Sequence, residues 1–504
     1  MLRIVIRTCV IAVICVALRA PGLAGELAGS RPNIILVMTD DQGYGDLACH
    51  GNPLIKTPHL DRLYAESLRF TDFQVSPTCA PTRCSLMTGR HEFKSGVTHT
   101  ILERERMSRA ATTLPQVLRS AGYATGIFGK WHLGDEDAYQ PGKRGFDEVY
   151  IHGAGGIGQT YPGSCGDAPG NEYFNPAIRH NGTFVKTEGY CTDLFFGQAL
   201  RWIESQHAAK QPFFAYITPN APHSPLVSPG PKYDALYAGK SIGGKPLDAD
   251  SVAYYAMISN IDDNVGLLLA KLDELQIAGD TLVIFQSDNG GTHTQLFSAG
   301  MRAGKNSPYE GGTHVPCFWR WPGKLTAGVD VDRLTAHIDY LPTLAALSGA
   351  KLPADLKLDG RSLLPLLADR KAEWPDRYIF VHQGRWPRGE ADSGRFTGCA
   401  VRNERFRFVN NAELYDLAVD PGETTNVIDQ HSDVVAAMRT AYDAWWQDAR
   451  AGMVNEDAVG PDVNPFKAAY WAQFNLTPDP KLLEQMKWSG AAKLDARPPR
   501  RKQR

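Results

Sequence analysis

Four short apolar runs in this chain each end in a cluster of polar residues, and this grammar restricts the fold more than any other feature. Asn33-Ile-Ile-Leu-Val-Met38 leads into Thr39-Asp40-Asp41-Gln42-Gly43, and Tyr123-Ala-Thr-Gly-Ile-Phe128 into Gly129-Lys130-Trp131-His132. Phe213-Phe-Ala-Tyr-Ile217 leads into Thr218-Pro-Asn-Ala-Pro-His223, and Leu282-Val-Ile-Phe285 into Gln286-Ser287-Asp288-Asn289-Gly290. Uninterrupted apolar runs of this length suit strands buried on both faces. Helical spacing lies between them, behind Thr57-Pro58, at 113–120, at 192–203 and at 251–275. Strands and helices alternating in this way predict an α/β fold, a sheet sandwiched between layers of helices. Such sheets gather ligands outside the carboxyl ends of their strands. Asp40, Asp41, Lys130, His132, His223, Asp288 and Asn289 are therefore expected at one site.

The grammar changes near residue 351. Leu358-Asp-Gly-Arg-Ser-Leu-Leu-Pro-Leu-Leu367 closes the first region. Strand-like pieces follow at Tyr378-Ile-Phe-Val-His382, Gly398-Cys-Ala-Val-Arg402, Arg405-Phe-Arg-Phe-Val409 and Glu413-Leu-Tyr-Asp-Leu417. With the amphipathic stretch 434–446 they predict a smaller α+β subdomain, a helix packed on an antiparallel sheet. The expected organisation is a site-bearing domain at 31–350, this subdomain at 351–450, and an extension with a basic tail at 451–504. Residues 1–25 combine Arg3 and Arg7, an apolar stretch too short to span a bilayer, and the small residues of Gly22-Leu-Ala-Gly25. That pattern predicts a signal peptide and an exported protein, periplasmic or secreted, with no stable membrane insertion after cleavage. A net charge of −2 argues against a nucleic-acid partner, and the basic run at 497–504 reads as a solvated tail. Of the nine cysteines, Cys165 and Cys191 flank one insertion-like loop and are the disulfide expected in an oxidising compartment.

Cys79-Ala-Pro-Thr-Arg-Cys-Ser-Leu-Met-Thr-Gly-Arg90 reads as a helix opening after the loop Val75-Ser-Pro-Thr78. Pro81 falls where a missing N–H costs nothing. A cysteine at a helix N-terminus feels the positive end of the dipole, which favours its thiolate, and Arg83 adds positive charge. Such a site is built to hold an anion. Asp40 with Asp41, and Asp288 with Asn289, offer hard oxygen donors that suit Ca²⁺ or Mg²⁺ rather than zinc. Asp262-Asp263 falls mid-helix and is given no role, while His91, His99 and His314 read as structural.

The pattern C-x-P-[ST]-R followed by T-G-R resembles the signature of the type I sulfatases, in the alkaline phosphatase superfamily. Gln42-Gly-Tyr-Gly-Asp46, Gly129-Lys-Trp-His-Leu-Gly134, Tyr309-Glu-Gly-Gly312 and Glu413-Leu-Tyr-Asp-Leu417 resemble further motifs of that family. The resemblance implies a large mixed, mostly parallel sheet with a smaller C-terminal antiparallel unit. It implies an arylsulfatase-like hydrolase of sulfate monoesters, acting on a sulfated carbohydrate or aryl sulfate. Cys79 would be oxidised to formylglycine by a formylglycine-generating or sulfatase-maturing enzyme. A single calcium, more than magnesium, would be held by Asp40, Asp41, Asp288, Asn289 and residue 79.

The chemistry explains so unusual a residue. A sulfate monoester carries dispersed negative charge that repels ordinary nucleophiles. Hydrated formylglycine has two hydroxyls on one carbon. One, deprotonated with help from the metal and Asp288, attacks sulfur in line with the leaving oxygen. The second then loses its proton, and sulfate departs by C–O cleavage as the aldehyde returns. A serine or cysteine there would be left as a stable sulfated adduct. The resemblance assigns Lys130 and Lys305 to the sulfate oxygens and Arg83 to the hydroxyl of residue 79. It assigns the second hydroxyl's proton to His132 and the general acid's role at the leaving oxygen to His223. His132, two residues after Lys130 on an extended segment, is expected on the same side of the strand.

One departure stands out. Some sulfatases contact the sulfate through a serine in the loop after Gly145-Phe-Asp147, and here that stretch reads Ile151-His-Gly-Ala-Gly-Gly-Ile-Gly-Gln159. His152 and Gln159 are its polar residues. Two other functions suit the same motifs: a phosphonate or phosphodiester hydrolase of the superfamily, and a non-catalytic binder of sulfated glycans. Substrate choice is expected in the loop 156–192 and around His382-Gln-Gly-Arg-Trp-Pro387.

Overall fold

A computed structural model describes residues 23–487. The signal segment up to residue 22 and the basic run at 497–504 lie outside the described residues. Among the described residues no helix is long and apolar enough to cross a membrane.

A ten-stranded mixed sheet forms the centre. Its middle strands are parallel, in the order Thr281–Ser287, Asn33–Thr39, Phe213–Thr218, Ala124–Lys130 and Glu148–His152. One flank continues through Cys317–Arg320, Leu68–Phe70 and Val329–Val331, the other through the hairpin of Ala177–His180 and Thr183–Lys186. Successive side chains of a strand point to opposite faces. Ile34, Leu36 and Met38 accordingly enter a core with Leu114, Leu118, Tyr340 and Leu344, while Ile35 and Val37 join Phe195, Phe196, Ile261 and Val265. Each fully buried Leu, Ile or Val side chain contributes roughly 1.5–3 kcal/mol. Two covered faces therefore demand an apolar residue at every strand position rather than every second one.

The helices expected from spacing are Pro58–Ala65, Leu114–Ser120, Cys191–Ala208 and Ala249–Glu274. Asp262, given no role above, accepts the N–H groups of His59 (3.2 Å) and Leu60 (2.7 Å). It thereby satisfies otherwise unpaired donors in the first turn of Pro58–Ala65. Register then levels the strand ends. Thr39 lies opposite Ser287, Gly129 opposite Thr218, and Lys130 opposite His152. The polar residues that follow emerge along one edge.

The smaller sheet has four antiparallel strands, Ile379–His382, Cys399–Arg402, Phe406–Val409 and Glu413–Asp416. The helix Ser432–Arg450 covers one face with Met438, Tyr442, Trp445 and Trp446. Beyond it the chain turns back toward the strand ends. Asn455 donates to the carbonyls of Gly96 (2.9 Å) and Arg106 (2.8 Å), and Asn464 to that of Ser164 (2.6 Å).

The expected Cys165–Cys191 disulfide is not formed, and all seven described cysteines are free thiols. Cys165 Sγ lies against the Thr100 carbonyl at 3.8 Å, whereas Cys191 opens its helix inside the core beside Phe195. Carboxylates hold this loop instead of a covalent bridge. Asp167 accepts the N–H groups of Gly153 and Gly158, both at 2.9 Å.

Candidate active site

Cys79 is the first residue of the helix Cys79–Thr88, which is buried along its whole length. The helix stops at Gly89, whose φ of 64° is left-handed. A Cβ at Gly89 would approach Leu358 to 2.9 Å and Leu341 to 3.1 Å, so glycine is required on both counts. The sequence from Cys79 to Gly89 is thus one buried helix with a fixed start and a fixed stop.

Its N-terminus meets the strand ends. Asp40, Cys79 and Asp288 offer ligand atoms within 4.8 Å of one another, as do Asp40, Asp41 and His223. Lys130 Nζ donates to Asp40 Oδ2 at 2.6 Å, and Lys305 Nζ to Asp41 Oδ1 at 2.5 Å. Burial raises the Asp40 carboxyl to about 6 against the pull of Lys130. Burial also pushes Asp41 upward, but Lys305 and His223 outweigh it and hold that carboxyl below the usual range. For Cys79, burial opposes the thiolate, yet Lys130 and Lys305 bring the thiol below its ordinary value.

Arg83 has partners far away in the sequence. Nε and Nη2 both donate to Asp288 Oδ2, at 3.1 and 2.7 Å, and Nη1 donates to the Lys130 carbonyl (3.0 Å) and Thr218 Oγ1 (2.5 Å). These bonds tie three strand ends together.

A cation fits what remains. Asp40 Oδ1 and Asn289 Oδ1 are buried acceptors with no partner among the described residues. Asn289 Nδ2 meanwhile donates to Asp41 Oδ1 at 2.9 Å. Unmatched buried oxygens are costly. Two of them beside Asp41 and Asp288 make a hard-donor set of the calcium and magnesium kind.

The histidines are held by their backbone neighbours. His223 Nδ1 lies 2.7 Å from the Ser224 carbonyl, which can only accept, so Nδ1 carries a proton and Nε2 faces Asp41 Oδ2 at 3.7 Å. Burial lowers its pKa to about 4. His132 is not on an extended segment. Lys130 is the last residue of its strand, and His132 has a φ of 59°. Its Nε2 lies 2.7 Å from the Thr100 carbonyl, which fixes the proton there, and Nδ1 is buried without a partner among the described residues. His152 places Nδ1 2.7 Å from the Gly153 carbonyl. A Cβ on Gly156 would meet Gln159 at 2.9 Å and His223 at 3.0 Å, so both border that glycine. His91, His99 and His314 bond to Phe93 N, Thr100 N and Glu310 Oε2 respectively.

Sequence reasoning passed over Thr218 and Asn220, although both stand in the strand-end cluster that supplied His223. Tyr173 left no signal at all. Its hydroxyl donates to the His223 carbonyl and, at 3.2 Å, to that of Asn220.

Comparison with known proteins covers most of the chain. The Sulfatase family profile matches residues 32–350, and the profile of the N-sulphoglucosamine sulphohydrolase C-terminal region matches residues 304–444. N-acetylgalactosamine-6-sulfatase of Mus musculus is 34% identical over 390 residues, covering 73% of this chain and 72% of the relative. Arylsulfatase A of Homo sapiens is 34% identical over 455 residues, covering 81% and 85%. The crystal structure of Ps i-CgsB in complex with k-i-k-neocarrahexaose superposes with a TM-score of 0.74 at 28% identity, covering 88% of this chain and 97% of that one.

Proposed function

This chain belongs to the sulfatase family and is a sulfuric ester hydrolase, and from that premise we propose that it desulfates a saccharide through formylglycine made from Cys79 beside a bound divalent cation. The observation that carries the reading is the setting of Cys79. It opens a buried helix, lies with its sulfur within 4.8 Å of carboxylate oxygens of Asp40 and Asp288, and feels both Lys130 and Lys305. The saccharide is supported by relatives named for N-acetylgalactosamine 6-sulfate and by the neocarrahexaose complex.

Asp40, Asp41, Asp288 and Asn289, with residue 79, would hold calcium, or magnesium less well, which when bound supplies positive charge to these carboxylates and to the sulfate. Formylglycine supplies a nucleophile that can afterwards release sulfate. The other roles fall to the chain itself. Lys130 and Lys305 reach the same carboxylates, so neutralising those groups frees two ammonium groups for sulfate oxygens. His132, protonated on Nε2 by its bond to Thr100, offers Nδ1 as a base. His223, with Nδ1 pinned to Ser224, offers Nε2 to the leaving oxygen. Burial keeps it neutral, and the negative charge of a bound ester works against that effect. Asp288 is engaged by Arg83, which makes Arg83 a positioning residue acting through that carboxylate.

The same reading includes export directed by residues 1–25 and modification by a maturation enzyme. It includes a catalytic domain at 31–350, a subdomain at 351–450 and an extension at 451–504, a division supported by the separate four-stranded sheet.

Peptide mass spectrometry tests the nucleophile. Conversion of Cys79 lowers its peptide by about 18 Da, and an unmodified peptide in fully active protein would overturn the assignment. Turnover of an aryl sulfate is expected to exceed that of the matching phosphodiester, and the reverse order would favour the phosphodiesterase reading. Calcium at 100 times its Kd adds about 2.7 kcal/mol of stability. A rise of several degrees in Tm on adding calcium after chelation is expected. No shift with calcium or magnesium would remove the cation from the site.

A further inference from the structure

Arg385 occupies a position that costs it both conformation and solvation. It follows the strand Ile379–His382 of the smaller sheet, in the turn Gly384-Arg385-Trp386. Gly384 and Arg385 are both left-handed, with φ of 66° and 70°, which is unfavourable for a residue with a Cβ. The turn is held there from several sides. Arg385 N–H donates to the Thr98 carbonyl at 3.3 Å, and a Cβ on Gly384 would sit 2.1 Å from that same oxygen. Trp386 Nε1 donates to Glu456 Oε2 at 2.5 Å, and the Trp386 carbonyl accepts Arg104 Nη1 at 2.7 Å.

Held in this way, the guanidinium reaches the rim of the site. Nη2 donates to Thr100 Oγ1 at 3.1 Å, and the Thr100 carbonyl is the partner of His132 Nε2. Nε is buried with no partner among the described residues. Four buried arginines are matched by carboxylates, Arg83 by Asp288, Arg104 by Glu456, Arg402 by Asp72 and Arg407 by Glu310, and Arg144 by three backbone carbonyls. Among the described residues Arg385 has no such carboxylate within 4.0 Å. Its charge is felt by His99, and it feels the charges of residue 79, Tyr161 and Asp41. A partly buried guanidinium whose Nε has no acceptor and whose charge has no carboxylate, beside a site for an anionic ester, suits a second anion.

We propose that Arg385 forms a subsite for a second anionic group on the sugar that carries the scissile sulfate or on its neighbour. The preferred substrate is then a polyanionic saccharide. This rests on the sulfatase reading and deepens it by naming the substrate class. A further sulfate and a uronate carboxylate share the required chemistry.

Titration calorimetry on the full chain separates them, using three probes: a monosulfated hexosamine, the same sugar with a second sulfate, and the monosulfated sugar linked to a uronate. One charge-assisted forked contact corresponds to about 10- to 100-fold tighter binding. Wild-type protein is expected to show that gain for at least one dianionic probe, and the probe that gains identifies the group. Arg385→Ala should erase the gain while holding affinity for the monosulfated sugar within about threefold. Arg385→Lys, which keeps the charge without the fork, should restore part of it. Wild-type protein that binds all three alike or not at all, or an Arg385→Ala variant that weakens all three equally, overturns the subsite. Wild-type sulfate release from an aryl sulfate, which has no second anion, is measured in parallel. Its absence would count against the hydrolase reading and leave the binding comparison intact.

Discussion

Replacing Cys79 with serine is expected to lower steady-state turnover of an aryl sulfate by roughly 10⁴- to 10⁶-fold, the range for loss of a nucleophile, with the fold unchanged. The argument is chemical rather than steric. Serine supplies one hydroxyl, which can attack sulfur and displace the alcohol, its proton passing to a base and the leaving oxygen taking one from an acid. The product is a serine sulfate ester whose carbon bears no second hydroxyl. Sulfate then has no route out by C–O cleavage, and the enzyme stops after one event. The variant should release at most one equivalent of alcohol, and its residue-79 peptide should gain about 80 Da as the retained sulfate. The site tolerates the change in shape. Cys79 is only 3% exposed and a serine is smaller, so the unfolding midpoint should stay within a few degrees. Sustained multiple turnover by the serine variant would remove the reason for formylglycine at this position.

The central strands were readable because burial on both faces forces a continuous apolar run, which survives in the sequence as Asn33 to Met38 or Phe213 to Ile217. The flanking strands were not. Leu68–Phe70 has three residues and Val329–Val331 has a charged centre, so each is a strand because a neighbour pairs with it. The helix bearing Cys79 was legible from Pro81 and Gly89, since backbone limits at a start and a stop leave specific residue types. What failed was anything decided by long-range partners. The bond of Arg83 to Asp288 left no trace in the sequence, because Asp288 lies 205 positions away. His132 looked extended because alternation was carried past Lys130, where the strand ends. The Cys165–Cys191 pairing relied on loop spacing, whereas Asp167 holds that loop through backbone amides. The extension after 451 carries no motif, and its contacts through Asn455 and Asn464 are single hydrogen bonds that leave no periodic trace.

Arg83 also separates structure from chemistry. Arg83→Met is expected to cost about 3–5 kcal/mol, the penalty for breaking a buried ion pair from one side. Arg83 is 1% exposed and Asp288 not at all, and the methionine would leave the Asp288 carboxylate without its fork. Arg83→Lys should fall between, since it keeps the charge but not the paired bonds to Asp288 Oδ2. Pairing Arg83→Met with Asp288→Asn should recover part of the loss, because neither charge is then stranded. Calcium makes the comparison decisive. If Asp288 is a ligand, the cation takes over the compensation that Arg83 provided, so calcium should raise the unfolding midpoint of Arg83→Met more than that of the wild type. The excess should vanish in the double variant, which lacks the carboxylate. Equal calcium shifts in all three proteins would show that Asp288 serves the fold through Arg83 and not the metal, and the ligand set would reduce to Asp40, Asp41 and Asn289 with residue 79.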